Sequence, residues 1–115
     1  MEVKTIAVLG AGLMGHGIAQ VAAQVGKYEV YLRDVEQRFI ENGMNMIRSS
    51  LQKFLSKGQI TEAEFNETLA RIHPTIDLKE AVSKADLIIE AIPENVELKK
   101  ATFREVDALA PPHAV

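Results

Sequence analysis

The chain has 115 residues, 47% of them hydrophobic and 25% charged, which fits one globular domain and excludes a disordered tail or a collagen-like repeat. Its 13 Lys and Arg against 16 Asp and Glu give a net charge of −3, and with 5% aromatics and no Trp this argues against a nucleic-acid partner. There is no cysteine, His16, His73 and His113 are too far apart for a local metal box, and no apolar run spans a membrane, so neither a metal nor a membrane is expected, and the cytoplasm is the expected compartment.

Thr5-Ile6-Ala7-Val8-Leu9 is a compact apolar run ending on Gly10, the pattern of a strand buried on both faces. Met14, Ile18, Val21, Ala22 and Val25 then recur at helical spacing, with Gly26 as the expected left-handed stop. Glu29-Val30-Tyr31-Leu32-Arg33 reads as a second strand, completing a βαβ opening. Phe39, Ile40, Met44, Ile47, Leu51, Phe54 and Leu55 form one stripe on a long helix that Lys57-Gly58-Gln59 ends.

Thr61 with Glu64 three residues on is a capping-box signature, opening a helix lined by Phe65, Leu69 and Ile72. The two helices make a hairpin inserted between the second and third strands. Pro74-Thr75-Ile76 is a short strand candidate, and Asp77 caps a brief helix through Val82. Leu87-Ile88-Ile89-Glu90-Ala91-Ile92 reads as a buried strand stopped by Pro93, followed by a helix from Asn95 that Pro111-Pro112 ends. The expected fold is therefore α/β, a Rossmann-type parallel sheet with helices on both faces, cut off before or at its fifth strand. Ligands of such sheets bind at the carboxyl ends of the strands.

Directly after the first strand comes Gly10-Ala11-Gly12-Leu13-Met14-Gly15, a G-x-G-x-x-G string. Gly10 permits the tight turn, Gly12 lets the backbone approach a pyrophosphate, and Gly15 lets the helix pack close to the strand. The helix N-terminus then offers bare N–H groups and partial positive charge to phosphates. Asp34 ends the second strand, nineteen residues past Gly15. A carboxylate there accepts from ribose hydroxyls and repels a 2′-phosphate, which favours NAD over NADP. Arg33 is adjacent, but strand alternation aims it elsewhere. A kinase loop needs a strand after its glycines and a lysine on the next one, and a Walker loop ends in Gly-Lys-Ser/Thr; neither is present. A general base must reach the substrate hydroxyl, whereas the position of His16 faces phosphates, and His73 reads as a capping or packing residue.

Four stretches resemble the NAD-binding domain of the 3-hydroxyacyl-CoA dehydrogenases, of the 3-hydroxybutyryl-CoA type. They are residues 6–20, Leu32-Arg33-Asp34, Lys57-Gly58-Gln59-Ile60-Thr61, and residues 85–95 continuing to Lys99-Lys100. The last, E-A-x-x-E-N with a lysine four residues after the Asn, is far more specific than the glycine string. The resemblance covers essentially the whole chain and implies that residues 1–115 form one NAD-binding Rossmann domain. It implies that Gly12, Leu13, Met14, Gly15 and Gly17 line the pyrophosphate beside Gly10, and that Asp34 binds the adenine ribose. Ala91 would join the cofactor residues, with Glu94 and Lys99 toward the ribose and nicotinamide. Ser50 and Lys57 on the hairpin would contact coenzyme A.

The family oxidises the 3-hydroxyl of an acyl-CoA to a ketone and passes hydride to NAD. Its catalytic His and Glu, and the helical substrate and dimer domain that makes a homodimer expected of the intact protein, have no counterpart here. This chain alone is therefore expected to carry no catalytic residue. Two other readings stay open: a free-standing dinucleotide-binding or redox-sensing module, and a β-hydroxyacid dehydrogenase that does not use CoA. The inserted hairpin speaks against the second.

Overall fold

The structure is a computed structural model that describes residues 3–91. The apolar run that opens the chain forms β1 (Thr5–Leu9), with Ile6, Ala7, Val8 and Leu9 all buried. Strand alternation divides them. Ile6 and Val8 enter one core cluster, and Ala7 and Leu9 enter a second on the opposite face of the sheet.

α1 (Leu13–Gln24) leads to β2 (Glu29–Arg33), and α2 (Gln37–Ser56) and α3 (Glu62–Ala70) form the hairpin before β3 (Ile72–Thr75). α4 (Leu78–Val82) and β4 (Leu87–Glu90) follow. The strands lie in the order β3-β2-β1-β4 and every pairing is parallel. The chain thus builds outward from β1 through β2 to β3, then returns to the other side of β1. Such a reversal leaves a crevice at the carboxyl ends of β1 and β4.

Register fixes what lines that end. Leu9 pairs with Arg33 on one side and with Glu90 on the other. Gly10, Asp34 and Ala91 are the next residues of their strands, so they emerge in one row. Hydrogen bonds tie the row together: Gly10 N–H donates to the Arg33 carbonyl (2.7 Å) and Ala91 N–H to the Leu9 carbonyl (2.8 Å). At the other end, one Asp86 carboxylate oxygen accepts from the Lys4 and Thr5 amides at 2.9 and 3.1 Å, pinning the start of β1 to the start of β4.

The larger cluster joins β1 and β2 to α1 and α2 through residues such as Ala19, Ala23, Leu32, Ile40, Ile47 and Leu51, with Phe65 and Leu69 of α3 packed against it. The smaller cluster packs Leu78, Ala81 and Val82 of α4 against Ala7 and Leu9. Helices therefore cover both faces. Burying a Leu or Ile side chain contributes about 1.5–3 kcal/mol. With Ile40, Ile47 and Leu51 at 1% exposure or less, α2 is anchored in the same core as Leu32 of β2.

Helix ends follow local chemistry. α2 stops in a Schellman motif: Gly58 takes a left-handed φ of 71°, its N–H donates to the Leu55 carbonyl, and Gln59 N–H donates to the Phe54 carbonyl. Thr61 and Glu64 form the expected capping box. Asp77 accepts from the Lys79 and Glu80 amides to cap α4.

Several sequence expectations are corrected. Val21 and Val25 are exposed, and Ala19 and Ala23 take the inner face of α1. Gly26 is not the left-handed residue; Lys27 is, with φ 56°. Gly26 is needed for room instead, because a Cβ there would stand 2.6 Å from the Tyr28 ring. Phe39 is over a third exposed, beneath the Arg38 guanidinium. Ile72 belongs to β3, which starts two residues before Pro74. β4 is half-buried rather than buried. The helix from Asn95, the Pro93 stop, Glu94, Lys99 and the expected end before a fifth strand lie outside the described residues.

Candidate cofactor site

The glycine turn connects β1 to α1, and each glycine meets a separate steric demand. Gly10 has φ 112°, a conformation only glycine adopts readily. A Cβ on Gly15 would lie 1.7 Å from the Gly10 carbonyl oxygen, so α1 sits against the turn at a distance no side chain permits. Gly12 is the N-cap of α1, with φ −70°, and makes no side-chain cap. A Cβ there would meet nothing within 4 Å, and the same holds at Gly17. The fold does not require glycine at these two positions for packing. What glycine provides is open space above the backbone.

The first helical hydrogen bond runs from His16 N–H to the Gly12 carbonyl. The amides of Leu13, Met14 and Gly15 precede it and have no helical acceptor. The first turn of α1 carries no acidic side chain. Bare N–H groups, the positive end of the helix dipole and free space converge, which is what a pyrophosphate requires. The turn therefore fits a dinucleotide. The His16 ring stays local: its Nδ1 lies 2.7 Å from the Gly12 carbonyl oxygen, over the turn rather than in the crevice.

Asp34 stands at the same edge. One carboxylate oxygen accepts the Ala11 N–H at 2.9 Å and the other accepts the Val35 N–H at 2.6 Å. A carboxylate has about four lone-pair directions, so two remain for sugar hydroxyls. Asp34 thus holds the glycine turn as well as facing the crevice. Arg33 points away, its Nε donating to the Ile76 carbonyl at 3.2 Å. Ala91 closes the far side, its Cβ 3.5 Å from the position a Gly15 Cβ would take.

Gly43 supports the turn from behind and was not singled out from the sequence. A Cβ on it would be 2.7 Å from the Ala11 carbonyl oxygen, so α2 rests directly on the loop. A glycine costs about 1 kcal/mol in a helix interior, and its place between buried Ile40 and Met44 was the available signal.

Ser50 on α2 and Lys57, the residue that follows α2, line one depression. A groove of about 370 Å³ is lined by Asn45, Met46, Ser49, Ser50 and Lys53, and a second of about 170 Å³ by Ser50, Lys53, Phe54, Lys57 and Gln59. They share Ser50 and Lys53, so they lie side by side and are treated together as a trough. Lys53 was missed because an exposed helix lysine carries no signal of its own. Two ammonium groups and no carboxylate line the trough among the described residues. His73 lies elsewhere, 2.9 Å from a Glu29 carboxylate oxygen and against the Tyr31 ring. No group of three His, Cys, Asp or Glu side chains suited to a metal exists among the described residues.

Comparison with known proteins decides the family. Residues 5–115 match the model for the 3-hydroxyacyl-CoA dehydrogenase NAD-binding domain. The chain belongs to that family.

The family's cofactor, NAD, is also this domain's cofactor. The chain is 42% identical over 115 residues to a Bacillus subtilis protein named "Probable 3-hydroxybutyryl-CoA dehydrogenase". It is 36% identical to the 3-hydroxyadipyl-CoA dehydrogenase of Escherichia coli. The solved (S)-3-hydroxybutyryl-CoA dehydrogenase PaaH1 from Ralstonia eutropha superposes with a TM-score of 0.90 at 32% identity, over 97% of this chain and 39% of that one. The NAD-binding domain described here spans all or nearly all of itself in these matches but only 39% of the Bacillus relative and 24% of the E. coli one.

Proposed function

We propose that residues 1–115 form the NAD-binding domain of an enzyme that oxidises an (S)-3-hydroxyacyl-CoA to the 3-oxoacyl-CoA. NAD, when bound, supplies the hydride acceptor. The amides of Leu13, Met14 and Gly15 hold the pyrophosphate, with Gly10, Gly12 and Gly17 keeping its approach clear. Asp34 accepts from the adenosine ribose, and Ala91, Glu94 and Lys99 continue the cofactor surface. The catalytic acid–base groups belong to the part of the relatives that this chain does not span.

The observation that carries the cofactor half is the row Gly10, Asp34, Ala91 at the switch point of the sheet, with open space over Gly12. The trough carries the substrate half. Ser50, Lys53 and Lys57 offer donors and positive charge on the inserted hairpin, suited to the phosphates of coenzyme A.

Titration of the chain with NAD and, separately, with coenzyme A tests both halves. NAD should bind and be lost in Gly12→Val. Coenzyme A should bind and weaken in Ser50→Ala and Lys57→Ala. Failure of either ligand at millimolar concentration removes that half. The reading extends to a homodimer of the intact protein, acting in the cytoplasm. Plant relatives are named as glyoxysomal and peroxisomal, so the compartment is the part of this reading that localisation of the intact protein tests. Sedimentation of the intact protein would show the dimer or a monomer.

A further inference from the structure

Gln20 is a nearly buried polar side chain on α1, 8% exposed, with no part in the dinucleotide turn. Its Nε2 donates to Ser50 Oγ at 2.9 Å and to Gln24 Oε1 at 3.2 Å. The contact with Ser50 crosses thirty positions of sequence and joins the cofactor helix to the hairpin. An amide nitrogen has only hydrogens to give, so the Ser50 oxygen is the acceptor in this pair. A serine hydroxyl has a single hydrogen and two lone pairs. With a lone pair turned to Gln20, the Ser50 hydrogen is directed away from it. Ser50 lines both parts of the trough.

We infer that Gln20 is a positioning residue for the trough: by donating to Ser50 it fixes that hydroxyl as an outward donor, aimed at an anionic, phosphate-bearing ligand alongside Lys53 and Lys57. This deepens the proposed function and rests on the reading of the trough as the coenzyme A surface. Gln24 Oε1 accepts from the same Gln20 nitrogen at 3.2 Å, in keeping with this orientation of the Gln20 amide. Without Gln20 the Ser50 hydroxyl can rotate to a backbone carbonyl of its own helix, as serines in helices do. The trough would then present a lone pair to an anion.

The test is calorimetry on the full chain with coenzyme A, and with NAD as a second ligand, for Gln20→Met, Gln20→Glu, Ser50→Ala and the Gln20→Met/Ser50→Ala pair. A hydrogen bond to a charged group lost from the trough weakens coenzyme A about tenfold in Ser50→Ala. Gln20→Met, which keeps the length but cannot donate, should weaken it to a similar extent. The double variant should bind no worse than either single one, because both remove the same donor. Gln20→Glu, close to isosteric and acceptor-only, should capture the Ser50 hydrogen and weaken binding further. NAD affinity should stay within twofold throughout.

A merely structural Gln20 would move NAD affinity and coenzyme A affinity together, and its effect would add to that of Ser50→Ala. Either result overturns the inference. If Ser50→Ala and Lys57→Ala weaken coenzyme A while Gln20→Met and Gln20→Glu do not, Gln20 has no positioning role and the trough reading stands. If Ser50→Ala and Lys57→Ala leave coenzyme A binding unchanged, or the wild-type chain binds none, the trough reading fails and this inference fails with it.

Discussion

Gly12 and Gly15 lie three residues apart in one turn, yet the structure assigns them opposite consequences on substitution. A methyl group on Gly12 enters open space, with no atom within 4 Å, at a φ of −70° that any residue adopts. Its effect on the folded state is therefore small. Replacing Gly by Ala at a compatible φ stabilises by about 0.4–1 kcal/mol through the unfolded chain. On the proposed reading, that same space is where a pyrophosphate approaches the α1 amides. Charge-assisted hydrogen bonds to such an anion contribute about 1.5–3 kcal/mol each. If the methyl group holds the phosphates off one or two of them, NAD affinity falls by about 1.5–6 kcal/mol, which is roughly tenfold at the least.

On Gly15 the added atom would stand 1.7 Å from the Gly10 carbonyl oxygen and 2.7 Å from its carbon, both backbone atoms that cannot swing aside. Ordinary contact requires α1 to retreat by well over 1 Å. Overpacking of that kind costs about 1–3 kcal/mol, and Tm should drop by roughly 5–15 °C. Thermal unfolding and NAD titration on the two Ala variants separate the cases. Gly12→Ala should melt at or slightly above wild type and bind NAD poorly. Gly15→Ala should lose both stability and binding. A Gly12→Ala protein with wild-type NAD affinity would remove the cradle, and a Gly15→Ala protein with wild-type Tm would remove the close approach of helix to turn.

Asp34→Ser should narrow the preference for NAD over NADP in paired titrations, since the carboxylate that repels a 2′-phosphate is gone; unchanged discrimination would contradict its ribose role. Asp34→Ala should also weaken both dinucleotides, because the Ala11 amide loses its acceptor at 2.9 Å, so NADP affinity rising to meet that for NAD would argue against the second role. Gly43→Leu should lower Tm and NAD affinity together by driving α2 off the Ala11 carbonyl, and a variant that melts lower with NAD affinity intact would show that the turn does not depend on α2. Thr61→Ala should cost about 1 kcal/mol of stability in denaturant unfolding through loss of the capping box, with NAD affinity unaffected; a loss of NAD affinity would mean the hairpin cap reaches the cofactor site.

The sheet and its turn were legible in the sequence because they rest on strong local signals. An unbroken apolar run has to be buried, a G-x-G-x-x-G string after it has to turn, and Thr61 with Glu64 has to cap. The inner face of α1 was misread because periodicity was sought in large side chains. Here the helix lies so close to β1 that its inner face is built from small ones, Gly15, Ala19 and Ala23. Val21 and Val25 keep helical spacing on the outer side. The same closeness hid Gly43, whose reason for being glycine is a contact with a residue 32 positions earlier. Gly26 misled differently. The chain tolerates left-handed geometry at Lys27 and uses glycine one residue earlier to admit the Tyr28 ring.

Pro74 marks a strand start in the sequence, yet β3 begins two residues before it. A proline has no N–H to give a ladder, but β3 is an edge strand with β2 as its one described neighbour, and it accommodates the proline in its interior. Lys53 and Gln20 were beyond reach in principle. Neither residue type is informative at a helical position, and each acquires meaning only from what the folded chain sets beside it.

The pieces of the site come from positions near 10, 34, 43 and 91, and the sheet topology explains why they meet. Building β1, β2 and β3 in sequence and then returning to place β4 on the far side of β1 leaves β1 central. Its carboxyl end is then the one place where loops on either side lead away from each other. Register puts Gly10, Asp34 and Ala91 in one row, and the buried stripe of α2 brings Gly43 up behind it. The insertion of the hairpin between β2 and β3 adds the trough without disturbing the glycine turn, because α2 packs its buried side on the core and leaves Ser50 and Lys53, with Lys57 just past its end, to line the trough. One helix, α1, touches both: its N-terminus faces the dinucleotide crevice, and Gln20, less than two turns on, holds the serine of the trough. The glycine turn and the trough are thus built on a shared element, and on the proposed reading that element would hold two bound molecules in fixed relation.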